Sequence, residues 1–171
     1  SGGIWNAGLS LGSAGQIVKV NSGATALEFG SAAAAGVIQT VRYGTGSGWQ
    51  QNMSGTSFTQ INNGATDFDV TITPSAASNS ILIFGQLHVQ MHPSSNNYAG
   101  GVRVVRKIAG GSTENNFSVG NAHGSRPRVS FWATTQQAGY EPVYSWCICD
   151  KSHNTTSAIT YALEMIAHGG H

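Results

Sequence analysis

Three aromatic residues stand in amide-rich stretches of the sequence, where they could bind a carbohydrate. Trp49 is followed by Gln50 in GSGWQQN. Tyr98 follows Asn97 in SSNNYAG, and Tyr140 follows two glutamines in QQAGY. A sugar ring has an apolar face and many hydroxyls, so flat rings beside amides suit it. The sequence therefore predicts these five as receptor-binding candidates, with the alternative that each ring packs over its own loop.

Signals for catalysis are weak. The stretch YGTGSGW lacks the Lys-Ser or Lys-Thr pair of a phosphate-binding loop, so a flexible loop is the better interpretation. The seven carboxylates are dispersed along the chain. Asp67 and Asp69 would share a strand face, and such a pair leaves polysaccharide hydrolysis open as an alternative. We predict a protein that is not an enzyme and needs no cofactor.

Two histidines have a spacing that could serve a metal. His88 and His92 are four residues apart, so on a strand they share a face at about 13 Å from each other. On a three-fold axis, each could contribute one imidazole per chain to a separate ring of ligands. The alternative, which we prefer, is that both line a polar sheet face or a protomer interface, so no metal is predicted.

The two cysteines, Cys147 and Cys149, are separated by one residue in a strand-like run. They would project from the same face with parallel side chains, a poor geometry for a mutual disulfide. We predict free thiols that are buried or half-buried.

The composition excludes two classes of function. Asp, Glu, Lys and Arg make up 9% of the 171 residues, against roughly 25% in an average protein, and the net charge is only +1. A nucleic-acid footprint requires clustered basic residues, whereas the eight here are scattered. No apolar run approaches the roughly 20 residues of a transmembrane helix, so membrane insertion is not expected.

Period-two alternation of apolar and polar residues dominates the chain and predicts strands separated by Gly, Ser, Asn and Pro. The predicted strands are residues 37–43, 57–61, 68–73, 81–91, 102–108, 117–119, 128–134, 143–149 and 159–166. Short strands at this spacing are typical of an antiparallel β-sandwich or jelly roll.

The run ILIFGQLH differs from the other strands. Its start, residues 81–84, is apolar on both faces, which predicts burial on both sides. Gly85 within it indicates a bulge or a close approach of backbone. Elsewhere one face is apolar, as in the alternating runs DFDVTIT and AITYALEMI.

The leading segment, residues 1–36, is predicted to be a neck or shaft connector in front of a domain that covers residues 37–171. Its runs QIVKV and ALEF flank NSGAT, which indicates a β-hairpin. A lone hairpin is marginal in water. Three copies around an axis could bury Ile17, Val20, Leu27 and Phe29 together, which predicts a homotrimer.

Three stretches resemble bacteriophage virion proteins. GSAGQIVKVNSGATALEF is similar to a linker element of many phage tail fibres, including those of marine phages. VTITPSAASNSILI resembles a Thr-Pro-Ser strand junction in their C-terminal domains, and SAITYALEMIA resembles their closing strand. Two features depart from the pattern: Ser80 stands where relatives often have Lys, and HGGH follows the last strand.

The resemblance implies a homotrimeric, β-rich virion appendage that meets the host surface. The expected function is attachment by the distal domain of a tail fibre through glycan recognition. The expected partners are other tail or fibre proteins and a host polysaccharide or receptor. The protein would be made in the host cytoplasm and located in the virion. One alternative is a capsid-surface fibre or decoration protein with a structural role; the other is a polysaccharide hydrolase.

Overall fold

The computed structural model describes residues 13–14, 16–31, 37, 39–44, 51, 56–62, 68–89, 98–135 and 142–169. These residues form an all-β structure whose strand pairs are all antiparallel. Within them there is no helix that could cross a membrane. The strands are β1 (Gln16–Val20), β2 (Leu27–Ser31), β3 (Thr59–Gln60), β4 (Asp69–Ile72), β5 (Ile81–His88), β6 (Tyr98–Ile108), β7 (Thr113–Glu114), β8 (Phe131–Thr135), β9 (Val143–Asp150) and β10 (Ile159–Gly169).

The chain divides into two units, Ser1–Thr40 and Val41–His171. In the first unit, β1 and β2 form the predicted hairpin. The Asn21 side chain closes its loop, because Oδ1 accepts hydrogen bonds from the backbone N–H of Thr25 at 2.9 Å and of Ala26 at 3.3 Å. Ala24 adopts the left-handed conformation (φ 55°) within this turn.

The hairpin has one apolar face. Its register pairs Val18 with Phe29 and Val20 with Leu27, so these four side chains project together. Ile17 pairs with Gly30 and therefore lies on the opposite face, with the ion-paired Lys19 and Glu28. The sequence predicted that Ile17, Val20, Leu27 and Phe29 would be buried together. In the structure Val18 takes the place of Ile17 in this set.

The larger sheet of the second unit is built around β10. Along one side β10 pairs with β6 over their full lengths; along the other it pairs with β4 and β3. The far side of β6 pairs with β8 and β7. The smaller sheet consists of β5 and β9, which pair from Ile81–Asp150 to His88–Val143.

The two sheets of the second unit share one apolar core, as a sandwich would. Alternate residues face it, so the predicted apolar faces of β4 and β10 are confirmed. The buried members are Ile61, Ile81, Ile83, Val102, Val104, Ile159, Tyr161 and Leu163. Phe68, Val70, Ile72 and Met165 pack against them.

Gly85 marks a close approach and not a bulge. The β5–β9 ladder runs through it without interruption, and Gly85 lies opposite Trp146. A Cβ atom at this position would be 2.7 Å from Cζ2 of the indole, well inside van der Waals contact. The missing side chain therefore makes room for the Trp146 ring on the core side of the small sheet.

Two predicted strands are wrong, and one strand was missed. The described part of residues 37–43 is not in a strand; Tyr43 instead meets the Phe68 ring edge-to-face at 4.8 Å. Residues 117–119 form a turn because the Ser118 hydroxyl bonds the carbonyls of Asn115 and Val104. The missed strand, β7, has only two residues, too few for a periodic signal.

The expected burial on both sides of β5 is also wrong for the single chain. Ile81 and Ile83 are buried in the core, whereas Leu82 and Phe84 are exposed on the other side of the strand. Cys147 and Cys149 are free thiols that share this outer side, as their spacing predicts. Both are exposed, so the expected burial of the thiols does not hold within one chain.

Candidate functional site

Two connections between the sheets leave from the same end of the second unit. One runs from His88, at the end of β5, to Tyr98, at the start of β6; the other runs from Thr135 in β8 to Val143 in β9. His88 lies opposite Val143 in the small sheet, and Tyr98 lies opposite Thr135 in the large one. The topology thus brings the bases of both connections together, at what we call the loop end.

The loop end rests on a small apolar cluster of its own. Val89 and Ala133 are buried there and pack with Leu87, Tyr144 and Met165. The rings of Phe131 and Tyr144 stack with their centroids 6.0 Å apart. The Val89 N–H donates a hydrogen bond of 3.2 Å to the Pro142 carbonyl, which extends the pairing of the small sheet. Both connections therefore start from a fixed base, the usual arrangement for binding loops on a rigid scaffold.

Three of the five predicted receptor-binding residues belong to these connections. Asn97 and Tyr140 lie outside the described residues. Tyr98 is placed by its backbone as the first residue of β6, opposite Thr135 and Gly169. From sequence the Tyr98 and Tyr140 stretches were separate candidates; the strand order brings together the described residues from which they start and end.

The other two predicted residues, Trp49 and Gln50, lie outside the described residues, but the flanks of their loop are placed. The Gln51 side chain accepts a 2.8 Å hydrogen bond from the Asn62 N–H and donates one of 3.4 Å to the Gln60 carbonyl. This anchor is at the β3 edge of the large sheet. Gln60 pairs with Glu164 and Tyr98 with Gly169, so along β10 the two positions differ by five residues, roughly 17 Å.

The opposite end of the strands, which we call the closed end, contains a buried ionic cluster that sequence reasoning missed. Nη1 of Arg106 in β6 donates to both carboxylate oxygens of Asp150 in β9, at 2.8 and 2.7 Å. Nε of Arg106 donates to Glu114 in β7 at 2.9 Å. The Tyr161 hydroxyl in β10 donates to Asp150 at 2.7 Å, and the Ser152 N–H donates to it at 2.9 Å.

The contacts within the Arg106 cluster (Arg106, Glu114, Asp150, Ser152 and Tyr161) shift the pKa of Asp150 and of Tyr161. Burial by itself would raise the pKa of Asp150, but hydrogen bonds from Arg106, Ser152 and Tyr161 outweigh it, so the pKa lies below its ordinary value. Burial and the bond to Asp150 raise the pKa of Tyr161 well above its usual range. A carboxylate that resists protonation and is saturated with donors is a poor general base. The cluster joins the two sheets and is structural.

A sequence signal for this cluster existed. Arg106 falls in phase with Val102 and Val104, on the face of β6 that points to the core. A charged residue at an apolar phase requires a buried partner. Its partner, Asp150, is on the other sheet, and no sequence pattern indicates that pairing.

The large sheet contains another ion pair. Arg103 and Glu164 face each other across β6 and β10, with Nη2 2.6 Å from Oε2. The guanidinium of Arg103 lies 3.7 Å from the centre of the Phe58 ring. Of the hydrolase candidates, Asp69 is in β4, opposite Ala162, and Asp67 lies outside the described residues.

The histidines fall into different settings. His88 ends β5 on its exposed face, and His92 lies outside the described residues. His153 is buried at the closed end, where Nε2–H donates to the Asn79 carbonyl at 2.7 Å and Nδ1 accepts from the Thr155 N–H at 3.3 Å. Within the described part of the chain, no three His, Cys, Asp or Glu side chains form a group that could hold a metal ion.

Comparisons of the chain with protein-family models, with curated proteins and with solved structures found no match.

Proposed function

We propose that this chain is the distal, receptor-binding part of a bacteriophage tail fibre, a β-sandwich or jelly-roll domain on a hairpin neck. It attaches a homotrimeric fibre to a polysaccharide on the host surface. The observation that carries the site is that the described ends of two connections meet at the loop end. Both contain an aromatic residue beside amides, and both start from one apolar base.

The scarcity of charge supports a glycan as the ligand. Several of the charged groups in the described strands are paired with one another, as in the Arg106 cluster and in the Arg103–Glu164 pair. Recognition would therefore rely on rings, amides and hydroxyls, which are the groups that complement a sugar. Weak sites of this kind become effective when several copies bind one surface.

The exposed apolar face of the hairpin is an argument for the proposed trimer. Val18, Val20 and Leu27 are each more than half exposed on its apolar face. An isolated two-stranded sheet is marginal, and association of identical hairpins would cover these side chains.

A structural role on the virion is the second candidate. It is favoured by the Arg106 cluster, because three of the fifteen charged residues of the chain meet there and Arg106 joins the two sheets through Asp150. Under this reading the loop end has no dedicated ligand.

Binding to immobilised bacterial lipopolysaccharides and capsular polysaccharides tests the proposal. We expect saturable binding that weakens in Tyr140→Ala and in Asn97→Ala. The matched control is Asn121→Ala, since Asn121 is exposed in the connection between β7 and β8. Loss of binding only in Trp49→Ala would move the site to the β3 edge. No binding to any polysaccharide would favour the structural role, and release of reducing ends would favour the hydrolase.

A further inference from the structure

The small sheet has an outer face that its own chain leaves open. Every second residue of β5 and of β9 is exposed there, and the register pairs Leu82 with Cys149 and Phe84 with Cys147. The outer β5–β9 face consists of Leu82, Phe84, Gln86, His88, Val143, Ser145, Cys147 and Cys149.

This face is apolar where a solvent-facing sheet is normally polar. Phe84 is 72% exposed, Leu82 60% and Val143 58%. With the two thiols they expose on the order of 400 Å² of apolar surface, comparable to the largest such patch on a typical monomer. The outward side of the large sheet instead carries Arg103, Lys107, Thr160 and Glu164. Its apolar residues Val105, Ala162 and Ile166 are buried by the chain itself.

We propose that the outer β5–β9 face is the contact between copies of this chain, directed in each copy toward a common three-fold axis. This rests on the trimeric state in the proposed function and assigns the surface that forms it. Three features of the face favour a copy of the chain over any other occupant.

The first feature is charge. The face contains no Asp, Glu, Lys or Arg, so identical faces can meet without opposing like charges or burying an unpaired one. A glycan is a poorer fit, because only Gln86, His88 and Ser145 among the eight residues of the face have strongly hydrogen-bonding side chains.

The second feature is area. A stable interface buries roughly 800 Å² per partner, with an apolar centre and a polar rim. The apolar part of the outer β5–β9 face is the right size for such a centre.

The third feature is the state of the strand edges. Among the described strands, β5 and β9 pair only with each other, so each has one edge without a neighbour. Two-stranded sheets with open edges are seldom stable by themselves. Neighbouring copies packed on the outer face would support this two-stranded sheet from its second side and would cover the two thiols.

Cys147 and Cys149 make the proposal testable, since they are the only two cysteines of the chain and both lie on this face. Sedimentation gives the oligomeric state at micromolar concentration, and N-ethylmaleimide labelling followed by mass spectrometry gives the reactivity of the thiols. We expect a trimer in which both thiols react roughly tenfold or more slowly than in a dissociated chain, because a buried thiol is shielded from the reagent.

Phe84→Asp places a charge at the centre of the face. It should sediment as a monomer with an unchanged far-ultraviolet circular dichroism spectrum and with fast-reacting thiols. Thr113→Asp places the same charge on an exposed residue of the large sheet and should behave as the wild type. If Phe84→Asp does not fold, the milder Leu82→Gln should still speed thiol labelling at micromolar concentration.

The outcomes separate this inference from the function on which it rests. A trimer with fast-reacting thiols, unaffected by both substitutions in β5, would overturn the assignment of the face and leave the trimeric fibre standing. A wild-type monomer at micromolar concentration would overturn both. Slow thiols in a monomer would show that another part of the same chain covers the face, which also overturns the assignment.

Discussion

The closed end and the loop end of the second unit are held together by different chemistry. At the closed end, Arg106 and Asp150 join the two sheets through buried ionic hydrogen bonds, and His153 joins two connections. At the loop end, the sheets meet through Val89, Ala133 and the stacked rings beside them. Buried ionic contacts require fixed geometry and tolerate little change, whereas loops above an apolar base tolerate variation in their sequence.

This difference assigns separate roles to the two ends. Substitutions at the closed end should change stability and leave recognition alone. Substitutions in the loops should change recognition and leave stability alone. Each of the following predictions tests that separation, beginning with the largest expected effect.

Asp150→Asn should lower the free energy of unfolding by about 3–5 kcal/mol, because it leaves the buried Arg106 without its main counter-charge. Denaturant titration followed by tryptophan fluorescence measures this. The matched control is Glu164→Gln, which removes the partner of the less buried Arg103 and should cost about 1 kcal/mol. Equal effects in the two variants would mean that the Arg106 cluster has no special role.

Gly85→Ala should lower the free energy of unfolding by about 1–3 kcal/mol, since the new methyl group would meet the Trp146 ring and force the core to shift. Gly120→Ala is the control, because a Cβ atom there has no neighbour within 4 Å. We expect the control to stay within about 0.5 kcal/mol of the wild type. A Gly85→Ala variant as stable as the wild type would show that the Trp146 ring can move to accept the new methyl group.

Low pH should lower the free energy of unfolding, as Asp150→Asn does, but by a smaller amount. The pKa of Asp150 is lower in the folded chain than in the unfolded one, so its contribution to stability is complete above the ordinary value of 3.8. The contribution decreases as the pH falls through the folded pKa. Unfolding titrations from neutral pH to pH 2 should therefore show a steeper loss in the wild type than in Asp150→Asn. If the wild type and Asp150→Asn lost stability equally as the pH fell, Asp150 would not be the group responsible for the loss.

These features differ in how far the sequence could predict them. The core faces of β4 and β10 were predictable because one residue in two is apolar over a whole strand, and the pleat then decides which side each residue faces. Residues 117–119 show the same alternation, but the Ser118 hydroxyl bonds nearby carbonyls and bends the chain into a turn. Periodicity does not include such local hydrogen bonds.

The sites were harder to predict than the strands. The Arg106–Asp150 contact joins residues of two sheets, so it depends on how the sheets face each other and not on any local pattern. The convergence of the Tyr98 and Tyr140 connections likewise depends on strand order. The outer β5–β9 face shows the reverse case: the sequence indicated a strand apolar on both sides, and one chain supplies a cover for only one of them.

Tyr140→Ala should have the smallest effect on stability and a clear effect on binding. A ring that stacks on a sugar contributes on the order of 1 kcal/mol to the binding free energy at each site. Because a trimer has three such sites, loss of the ring at all three weakens the overall affinity for the surface by more than the loss at one. The free energy of unfolding should stay within about 0.5 kcal/mol of the wild type, as expected when a substitution removes no contact that supports the fold. Tyr140→Phe keeps the ring and should retain most of the binding to the polysaccharide. If Tyr140→Ala unfolds at a lower denaturant concentration than the wild type, Tyr140 supports the fold. The separation between a stabilising closed end and a binding loop end would then be contradicted.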